Sequence, residues 1–304
     1  MSDVSPVTAP VCYRHPGRET YVRCTRCDRP ICPDCMREAS VGHQCPECVA
    51  EGRRTQRPAR TAFGGSAVGA RGYVTKALVA INVVMLVLSA LSAGNAGRAL
   101  AGGNMGGLLG GPTPLLDWGG VFGYAPYVPG GAVHGVAAGE YYRLVTAMFL
   151  HFGLIHLAAN MWALWVLGRN LEAALGPLRF LALYLLAGLG GNVAAYVFQP
   201  HALTAGASTA LFGLFAALFV ILRRLGRSAA GVLPVLVLNL VITFTIPGIS
   251  IAGHLGGLVT GAVVAAGMAY APRGNRTAVQ VGVCLIVVAL LGLVTFWQTS
   301  TLIG

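Results

Sequence analysis

The chain has 304 residues, of which 55% are hydrophobic, only 10% are charged and 42 are glycine. This balance excludes an ordinary water-soluble domain, because apolar and glycine-rich sequence is typical of membrane helices that pack closely. The formal net charge is +11, but Lys and Arg cluster in an N-terminal linker and in short loops between apolar runs, which favours a topology signal over nucleic-acid binding.

The first 50 residues, here called the head, hold most of the cysteines in closely spaced pairs. One histidine completes the first pair, and the candidate ligands are Cys12, His15, Cys24, Cys27, Cys32, Cys35, Cys45 and Cys48. Such a set suffices for two tetrahedral zinc ions. A disulfide framework is the alternative, but a head that stays in the reducing cytoplasm is expected to keep free thiols.

The spacing of these pairs resembles that of B-box and related cross-braced zinc fingers. The resemblance implies one ion held by Cys12, His15, Cys32 and Cys35, and a second held by Cys24, Cys27, Cys45 and Cys48. Pairing of neighbours in sequence is the alternative, and His43 is treated as a spare ligand. So small a domain has little core, so zinc is expected to supply its folding energy, and the head to bind a protein partner rather than to react. The remaining cysteine, Cys284, lies in an apolar run and is expected to be inert.

A basic, glycine-rich linker over residues 51–74 leads from the head to a series of apolar runs. Most runs have about 17–22 residues, enough for a helix to cross about 30 Å of hydrocarbon. The seven runs cover residues 75–93, 147–168, 177–198, 208–224, 231–247, 251–270 and 278–297. Residues 94–142 are too polar and too rich in Gly and Pro to span, and they are predicted to form a large loop with some structure.

The basic residues predict the orientation of the chain. They lie before the first run and between the second and third, fourth and fifth, and sixth and seventh runs. The positive-inside rule then predicts a cytoplasmic N-terminus and an outer C-terminus. The first 11 residues carry no apolar core of a signal peptide, so we expect the head to remain in the cytoplasm. We expect the chain to reside in a bacterial plasma membrane.

Three of the runs begin with polar side chains. The second begins with His151, His156 and Asn160, the fourth with Ser208 and the sixth with His254. In the predicted topology all three runs begin at the outer face, so these side chains are expected in one layer below it. Ionisable groups inside a membrane are candidates for function, and a serine beside a histidine is typical of nucleophilic attack on a carbonyl group.

The sequence permits a dyad more readily than a triad, because no carboxylate follows Glu172. His156 and Asn160 are four residues apart, so they share a helix face and can both donate to an oxyanion. The N–H of Ser208 is expected to be free at the start of its helix, and Gly206 leaves room for a substrate backbone.

Each feature also has a simpler interpretation. A serine in a membrane helix often bonds a carbonyl one turn back, and a histidine at a helix mouth is often an interfacial residue. The Gly257 to Gly261 spacing is typical of close helix packing, which is the interpretation adopted here. The joint pattern nevertheless favours catalysis, and Phe212, one turn after Ser208, is expected to pack against the ring of His254.

The motifs around these residues resemble those of the rhomboid intramembrane serine proteases. The matching segments are H-x4-H-x3-N at residues 151–160, G-x-S-x3-F-G at 206–213 and A-G-H-x2-G-x3-G at 252–261. The resemblance implies that Ser208 is the nucleophile and His254 the general base. It also implies that His156 and Asn160 form the oxyanion hole.

The resemblance covers residues 75–270 as a protease core of six spans, with residues 271–304 as an additional helix in a "six plus one" arrangement. The predicted fold is thus an all-α polytopic bundle of seven transmembrane helices, preceded by a cross-braced zinc finger. Tyr142 and Arg143 resemble the aromatic–Arg pair of the family's first loop, in which Arg143 is structural. Thr209 departs from the glycine that many members carry there, which affects the shape of the pocket more than the chemistry.

The implied function is cleavage of transmembrane substrates near the outer membrane face, without a cofactor for catalysis. The alternative is a catalytically inactive rhomboid-like protein that binds membrane clients, with the zinc head as an adaptor. Because both Ser208 and His254 are present, the protease is favoured.

Overall fold

The structure is a computed structural model, and it describes residues 9–56, 59–94, 100, 111–126 and 133–303. The chain forms two compact units, Met1–Pro58 and Ala59–Gly304, which are treated separately below. The first eight residues of the head and parts of the predicted 94–142 loop lie outside the described residues.

The N-terminal unit consists of small hairpins and one helix around its cysteines. Its elements are β1 (Val11–Cys12), β2 (His15–Glu19), a 3-10 turn (Pro33–Cys35), β3 (Arg37–Glu38), β4 (His43–Gln44) and α1 (Pro46–Thr55). Strand β1 pairs antiparallel with β2, and β3 with β4. Among the described residues, the buried hydrophobic cluster of this unit consists of six cysteines and Ile31. The unit therefore has very little aliphatic core to stabilise it.

The second unit is predominantly helical. Its α-helices are α2 (Tyr73–Ser92), α3 (Pro114–Gly119), α4 (Arg143–Thr146), α5 (Leu154–Leu175), α6 (Pro177–Phe198), α7 (Ser208–Arg224), α8 (Val232–Thr245), α9 (Ile251–Tyr270) and α10 (Arg276–Ile303). In the described part of this unit, three 3-10 helices cover Ala67–Arg71, Val136–Ala138 and Ala147–Phe149, and one small hairpin pairs β5 (Ala125–Pro126) with β6 (Val133–His134).

Among the residues that the structure describes, four helices, α2, α6, α9 and α10, are long and apolar enough to cross a membrane. A fifth span results if Arg143–Phe149 and Leu154–Leu175, which meet at 90°, count as one bent span. Helix α7 has 17 residues and α8 has 14, so α8 covers only about 21 Å at 1.5 Å per residue. Helices thus occupy every predicted apolar run, whereas the count of seven spans stays a prediction.

Helices α6, α7 and α9 pack most extensively against one another, and glycines allow the close approach. A Cβ on Gly213 of α7 would lie 2.4 Å from the Cβ of Ala187, and one on Gly261 of α9 would lie 2.3 Å from the Cα of Gly213. A Cβ on Gly257 would lie only 1.9 Å from the carbonyl oxygen of Thr209. The interpretation of the Gly257 to Gly261 spacing as close packing is confirmed. This contact holds the first turns of α7 and α9 side by side.

The segment before α5 supports the loop that leads into α7. Val121 and Thr204 exchange two backbone hydrogen bonds of 2.8 Å each, and the N–H of Gly206 donates to the carbonyl of Ala147 at 2.9 Å. The loop before Ser208 is therefore held from both sides by backbone hydrogen bonds, which fix the start of α7.

The buried side chain of Arg143 stabilises the same segment through hydrogen bonds. Its side chain is 4% exposed and donates to Glu140 Oε2 at 2.6 Å, to the carbonyl of Asp117 at 2.6 Å and to that of Gly120 at 3.0 Å. A planar guanidinium suits several acceptors at once. Arg143 thus joins α4 to the turn after α3.

Candidate active site and metal clusters

Ser208 and His254 lie within hydrogen-bond distance of each other. Ser208 is the first residue of α7, His254 lies in the first turn of α9, and Ser208 Oγ is 2.8 Å from His254 Nε2. The ring of His254 is 7% exposed and stacks on Phe212 at 4.2 Å between centroids, with 17° between planes. The predicted packing of Phe212 against His254 is confirmed. A nucleophile beside a base in a buried position is the arrangement that carbonyl attack requires.

The second ring nitrogen of His254 contacts a residue that sequence reasoning missed. Thr243 Oγ1, on α8, lies 2.7 Å from His254 Nδ1 and also donates to the carbonyl of Asn239 at 2.7 Å. The sequence signal was weak, because a threonine in an apolar helix commonly bonds the carbonyl one turn back and has no further role.

His156 lines the same space as Ser208. Gly206 has φ of +138°, and a Cβ there would lie 3.0 Å from His156 Nε2 and 3.4 Å from Ser208 Oγ. His156 Nδ1 accepts the N–H of Phe152 at 3.4 Å. A neutral histidine that accepts at Nδ1 carries its proton on Nε2. His156 thus presents an N–H donor to the space beside the hydroxyl of Ser208.

Three side chains of this region, those of His151, Asn160 and Thr209, have buried polar atoms without a hydrogen-bond partner among the described residues. Asn160 is 5% exposed and its Nδ2 has no acceptor, whereas both ring nitrogens of His151 are unpartnered. The rings of His151 and His156 lie 5.1 Å apart between centroids. A buried donor without a partner costs free energy, and Asn160 therefore has unused capacity to donate to a bound oxygen.

Thr209, the residue after Ser208, packs between α6 and α9. It is buried, and its side chain fills the space left by glycines on two neighbouring helices: a Cβ on Gly191 would lie 2.6 Å from Thr209 Cβ, and one on Gly253 would lie 3.1 Å from Thr209 Cγ2. This departure from glycine is therefore accommodated by contacts among α6, α7 and α9.

The N-terminal unit brings its candidate ligands together in two groups that can each hold a metal ion. The groups are Cys12, His15, Cys32 and Cys35, and Cys24, Cys27, Cys45 and Cys48, with the ligand atoms of each group within 4.8 Å of one another. All eight cysteines of the chain are free thiols. The groups alternate along the chain as in a cross-braced finger, and His43 belongs to neither.

The spacing of the donor atoms fits one tetrahedral ion in each group. His15 Nδ1 lies 3.7, 3.2 and 3.4 Å from the sulfurs of Cys12, Cys32 and Cys35, and the sulfurs of Cys27 and Cys45 are 3.8 Å apart. Metal–sulfur bonds of about 2.3 Å in a tetrahedron place neighbouring donors about 3.5–3.8 Å apart. The donor set and its spacing therefore suit zinc.

Backbone N–H groups also point at these sulfurs. The N–H of Cys45 donates to Cys24 Sγ at 3.2 Å and that of Cys48 to Cys45 Sγ at 3.3 Å. Outer hydrogen bonds of this kind stabilise thiolate ligands.

Fold and site together define a predominantly helical integral membrane protein whose buried polar groups converge on a serine–histidine pair. The Rhomboid domain family matches residues 138–271, which include Ser208, His254, His156 and Asn160. The chain is 38% identical over 147 residues to the rhomboid protease GluP of Bacillus subtilis, and 37% identical over 133 residues to another rhomboid of that bacterium, YdcA. It is also 35% identical over 133 residues to the mitochondrial RHOMBOID-like protein 6 of Arabidopsis thaliana.

These matches cover different shares of each protein. They include 46, 42 and 41% of this chain, and 28% of GluP, 67% of YdcA and 43% of RHOMBOID-like protein 6. The chain thus spans less than a third of GluP but two thirds of YdcA. The chain belongs to the rhomboid family.

Proposed function

We propose that this protein is an intramembrane serine endopeptidase that cleaves transmembrane substrates with a Ser208–His254 dyad. The observation that carries the proposal is the 2.8 Å hydrogen bond between Ser208 Oγ and His254 Nε2. A half-buried hydroxyl and a buried imidazole from separate apolar helices meet there in the geometry of a nucleophile and its base. The relatedness to the rhomboid protease GluP supports the same reaction class.

In the proposed reaction, Ser208 Oγ forms a bond to the scissile carbonyl carbon while its proton passes to His254 Nε2. The carbonyl oxygen becomes an oxyanion. It accepts hydrogen bonds from the side-chain N–H groups of His156 and Asn160 and from the backbone N–H of Ser208. The intermediate then expels the amine, which takes the proton from His254. Water, deprotonated by the same nitrogen, hydrolyses the acyl-enzyme and regenerates the hydroxyl of Ser208.

The membrane topology belongs to this proposal. Seven spans with a cytoplasmic N-terminus would begin α7 and α9 at the outer face and would place cleavage near the outer end of a substrate helix. The alternating basic loops support this orientation. A substrate helix that reaches a serine below the membrane surface must unwind locally to expose its carbonyl group, so helix-weakening residues near the cleavage site are expected to favour cleavage.

The competing function is that of a catalytically inactive rhomboid-like protein that binds membrane clients. Such a protein has no need to keep a serine hydroxyl bonded to a histidine nitrogen, nor a buried amide without an acceptor at Asn160. These two features favour the protease over the client-binding protein.

We further propose that the N-terminal unit binds two zinc ions through the two clusters defined above. Four protein ligands per ion leave no open position, so zinc would act structurally and would not take part in proteolysis. Because Ile31 is the buried aliphatic residue of its described part, the unit would depend on metal for its fold. Its expected role is to bind a protein partner.

The test uses the full chain in lipid vesicles with a generic single-span substrate. Ser208→Ala and His254→Ala should each abolish cleavage, whereas Ser300→Ala, which removes an exposed hydroxyl on α10, should leave cleavage unchanged. Labelling by a fluorophosphonate should require Ser208. Substantial cleavage by a folded Ser208→Ala protein would reject the dyad, and a wild-type protein that binds but never cleaves would favour the client-binding function.

A further inference from the structure

We infer that Thr243 is a positioning residue that fixes the tautomer and the orientation of His254. The inference rests on the proposed proteolytic function. It assigns a role to the group that contacts Nδ1 of His254, the ring nitrogen that does not face Ser208. In Ser-His-Asp enzymes a carboxylate takes that position. Here the contact is a hydroxyl on a different helix, α8, with Thr243 Oγ1 at 2.7 Å from His254 Nδ1.

The proton balance of the three hydrogen bonds selects one tautomer. For Ser208 Oγ–H to donate to Nε2, the neutral ring must carry its proton on Nδ1. That N–H then needs an acceptor, and Thr243 Oγ1 provides it. The single hydroxyl proton of Thr243 is directed to the carbonyl of Asn239 at 2.7 Å. Each donor then has one acceptor. The series of hydrogen bonds ends at the carbonyl oxygen of Asn239, which can only accept.

The opposite tautomer would be unproductive. Nδ1 would then have to accept the hydroxyl proton of Thr243, and the bond to the Asn239 carbonyl would be lost. Nε2–H would donate to Ser208 Oγ, so the base could not remove the serine proton. The Asn239 carbonyl therefore favours the productive tautomer through Thr243.

Among the residues that the structure describes, Thr243 is the one that hydrogen-bonds to His254 Nδ1. The chain has no carboxylate after Glu172, and Glu172 itself accepts hydrogen bonds at the start of α2. Thr243 is 2% exposed, so bulk water does not reach its hydroxyl. Because a hydroxyl is neutral, its expected effect is to orient the ring rather than to stabilise its positive charge.

The burial of Thr243 is local to this contact. Of the 14 residues of α8, Val232 and Thr243 are the buried ones. Thr245, two residues later on the same helix, also donates its hydroxyl one turn back, to the carbonyl of Val241 at 2.7 Å, but it is exposed. Each threonine therefore donates its hydroxyl to a backbone carbonyl one turn back. Of the two, Thr243 is the one that also contacts His254.

This pair provides a matched experiment on the full-length protein. Thr243→Val keeps the shape of the side chain and removes the hydroxyl, Thr243→Ser restores a hydroxyl, and Thr245→Val is the control. We expect Thr243→Val to lower kcat about 10- to 100-fold with KM within about twofold, less than the roughly 10⁴-fold loss when a triad carboxylate is replaced. Thr243→Ser should recover most of the rate, and Thr245→Val should match the wild type.

A second measurement does not depend on activity. With ¹⁵N-labelled histidine rings, the signals of His254 are identified by their loss in His254→Gln, and the protonated nitrogen is read directly. We expect Nδ1–H in the wild type and in Thr243→Ser, and a shift toward Nε2–H in Thr243→Val. The melting temperatures of Thr243→Val and Thr245→Val report any general destabilisation.

Two outcomes would overturn the inference. One is an unchanged kcat in Thr243→Val while Ser208→Ala is inactive, which would leave the proposed protease intact. The other is a lowered kcat with an unchanged tautomer and a rise in KM, since that pattern indicates a merely structural role. Undiminished cleavage by Ser208→Ala would instead reject the underlying function.

Discussion

The carboxylate of Glu172, at the end of α5, accepts the backbone N–H of Thr75 at 2.8 Å and its hydroxyl at 2.7 Å. A third hydrogen bond comes from the N–H of Val74 at 3.0 Å, and Glu172 is fully buried. The first N–H groups of a helix have no acceptor within the helix, and the helix dipole favours a negative charge there. Glu172 therefore joins α5 to the start of α2, and the acid nearest to the candidate base in sequence is committed to structure.

We expect Glu172→Ala to lower the stability of the membrane unit strongly, because it leaves buried N–H groups without an acceptor. Hydrogen bonds to charged groups contribute about 1.5–3 kcal/mol each, so a loss of several degrees in melting temperature in detergent is predicted. Glu172→Gln, which keeps one acceptor oxygen, should fall between alanine and the wild type. Equal melting temperatures for all three proteins would contradict this role.

Gly206 is required by its backbone and by its surroundings. Its φ of +138° disfavours any residue with a Cβ, and that atom would lie 2.8 Å from His156 Cε1. We expect Gly206→Ala to lower kcat at least about 100-fold, because a shift of about 1 Å in the reacting groups is enough to do so. The measurement is cleavage of the single-span substrate by folded protein.

Gly248 provides the control for that variant. It also has a positive φ, +86°, but a Cβ there would have no atom within 4 Å. Gly248→Ala thus introduces comparable backbone strain without filling the space beside Ser208. If both variants lost the same activity, backbone strain rather than the space beside His156 would explain the loss.

The site could be predicted from the sequence where spacing alone decides the geometry. Phe212 lies one turn after Ser208, so its contact with His254 followed from helical periodicity. Thr243 could not be predicted, because its partner lies on another helix and nothing in an apolar run marks which threonine faces a histidine. The contact between α8 and α9 that brings Thr243 to His254 is known only from the structure.

The lengths of the helices show a second limit. The apolar run 231–247 has nearly the length of a span, but α8 ends at Thr245 because Pro247 disfavours helical backbone at the residue before it. Hydropathy counts Ile246 and Pro247 as part of the run, although the backbone of Ile246 is already extended. The buried position of Arg143 could not be predicted either, because it depends on contacts with turns far away in sequence.

Asn160 provides a test of oxyanion binding. Because its Nδ2 has no acceptor among the described residues, Asn160→Ala should remove no hydrogen bond that this nitrogen donates in the resting protein. We expect an unchanged or slightly raised melting temperature, a kcat lowered about 10²–10³-fold and little change in KM. Asn170→Ala, at an exposed position on the same helix, is the control. A rise in KM at constant kcat would make Asn160 a substrate-positioning group instead.

Glu140 makes the stability of the first loop depend on pH. Burial acts to raise its pKa, but hydrogen bonds from His134, the N–H of Gly135 and Arg143 together lower it from 4.5 to about 2. A lowered folded-state pKa means that the contribution is complete above pH 4.5 and is lost as the pH falls toward 2. We expect the wild type to melt higher than Glu140→Gln near neutral pH, with the difference shrinking below pH 4.5. A difference that stayed constant down to pH 2 would contradict this linkage.

Removal of metal should unfold the N-terminal unit and leave the second unit folded. Metal analysis of the purified chain is expected to give two zinc ions, and a strong chelator should unfold the N-terminal unit, because the buried hydrophobic cluster of its described part consists of Ile31 and six cysteines. Thiol labelling of Cys24, buried in the metal-competent form, should accelerate greatly, while that of Cys284 in α10 should not.

Cleavage of the generic substrate should persist in the same sample, within a few-fold of the untreated protein. Ser208, His254 and Thr243 all belong to the second unit, and none of the proposed steps uses a metal ion. Deletion of residues 1–58 should have the same small effect, because it removes the clusters without altering α7, α8 or α9. If either treatment abolished cleavage while the membrane unit kept its melting temperature, the N-terminal unit would have to act on the reaction itself, and its assignment as a partner-binding domain would be wrong.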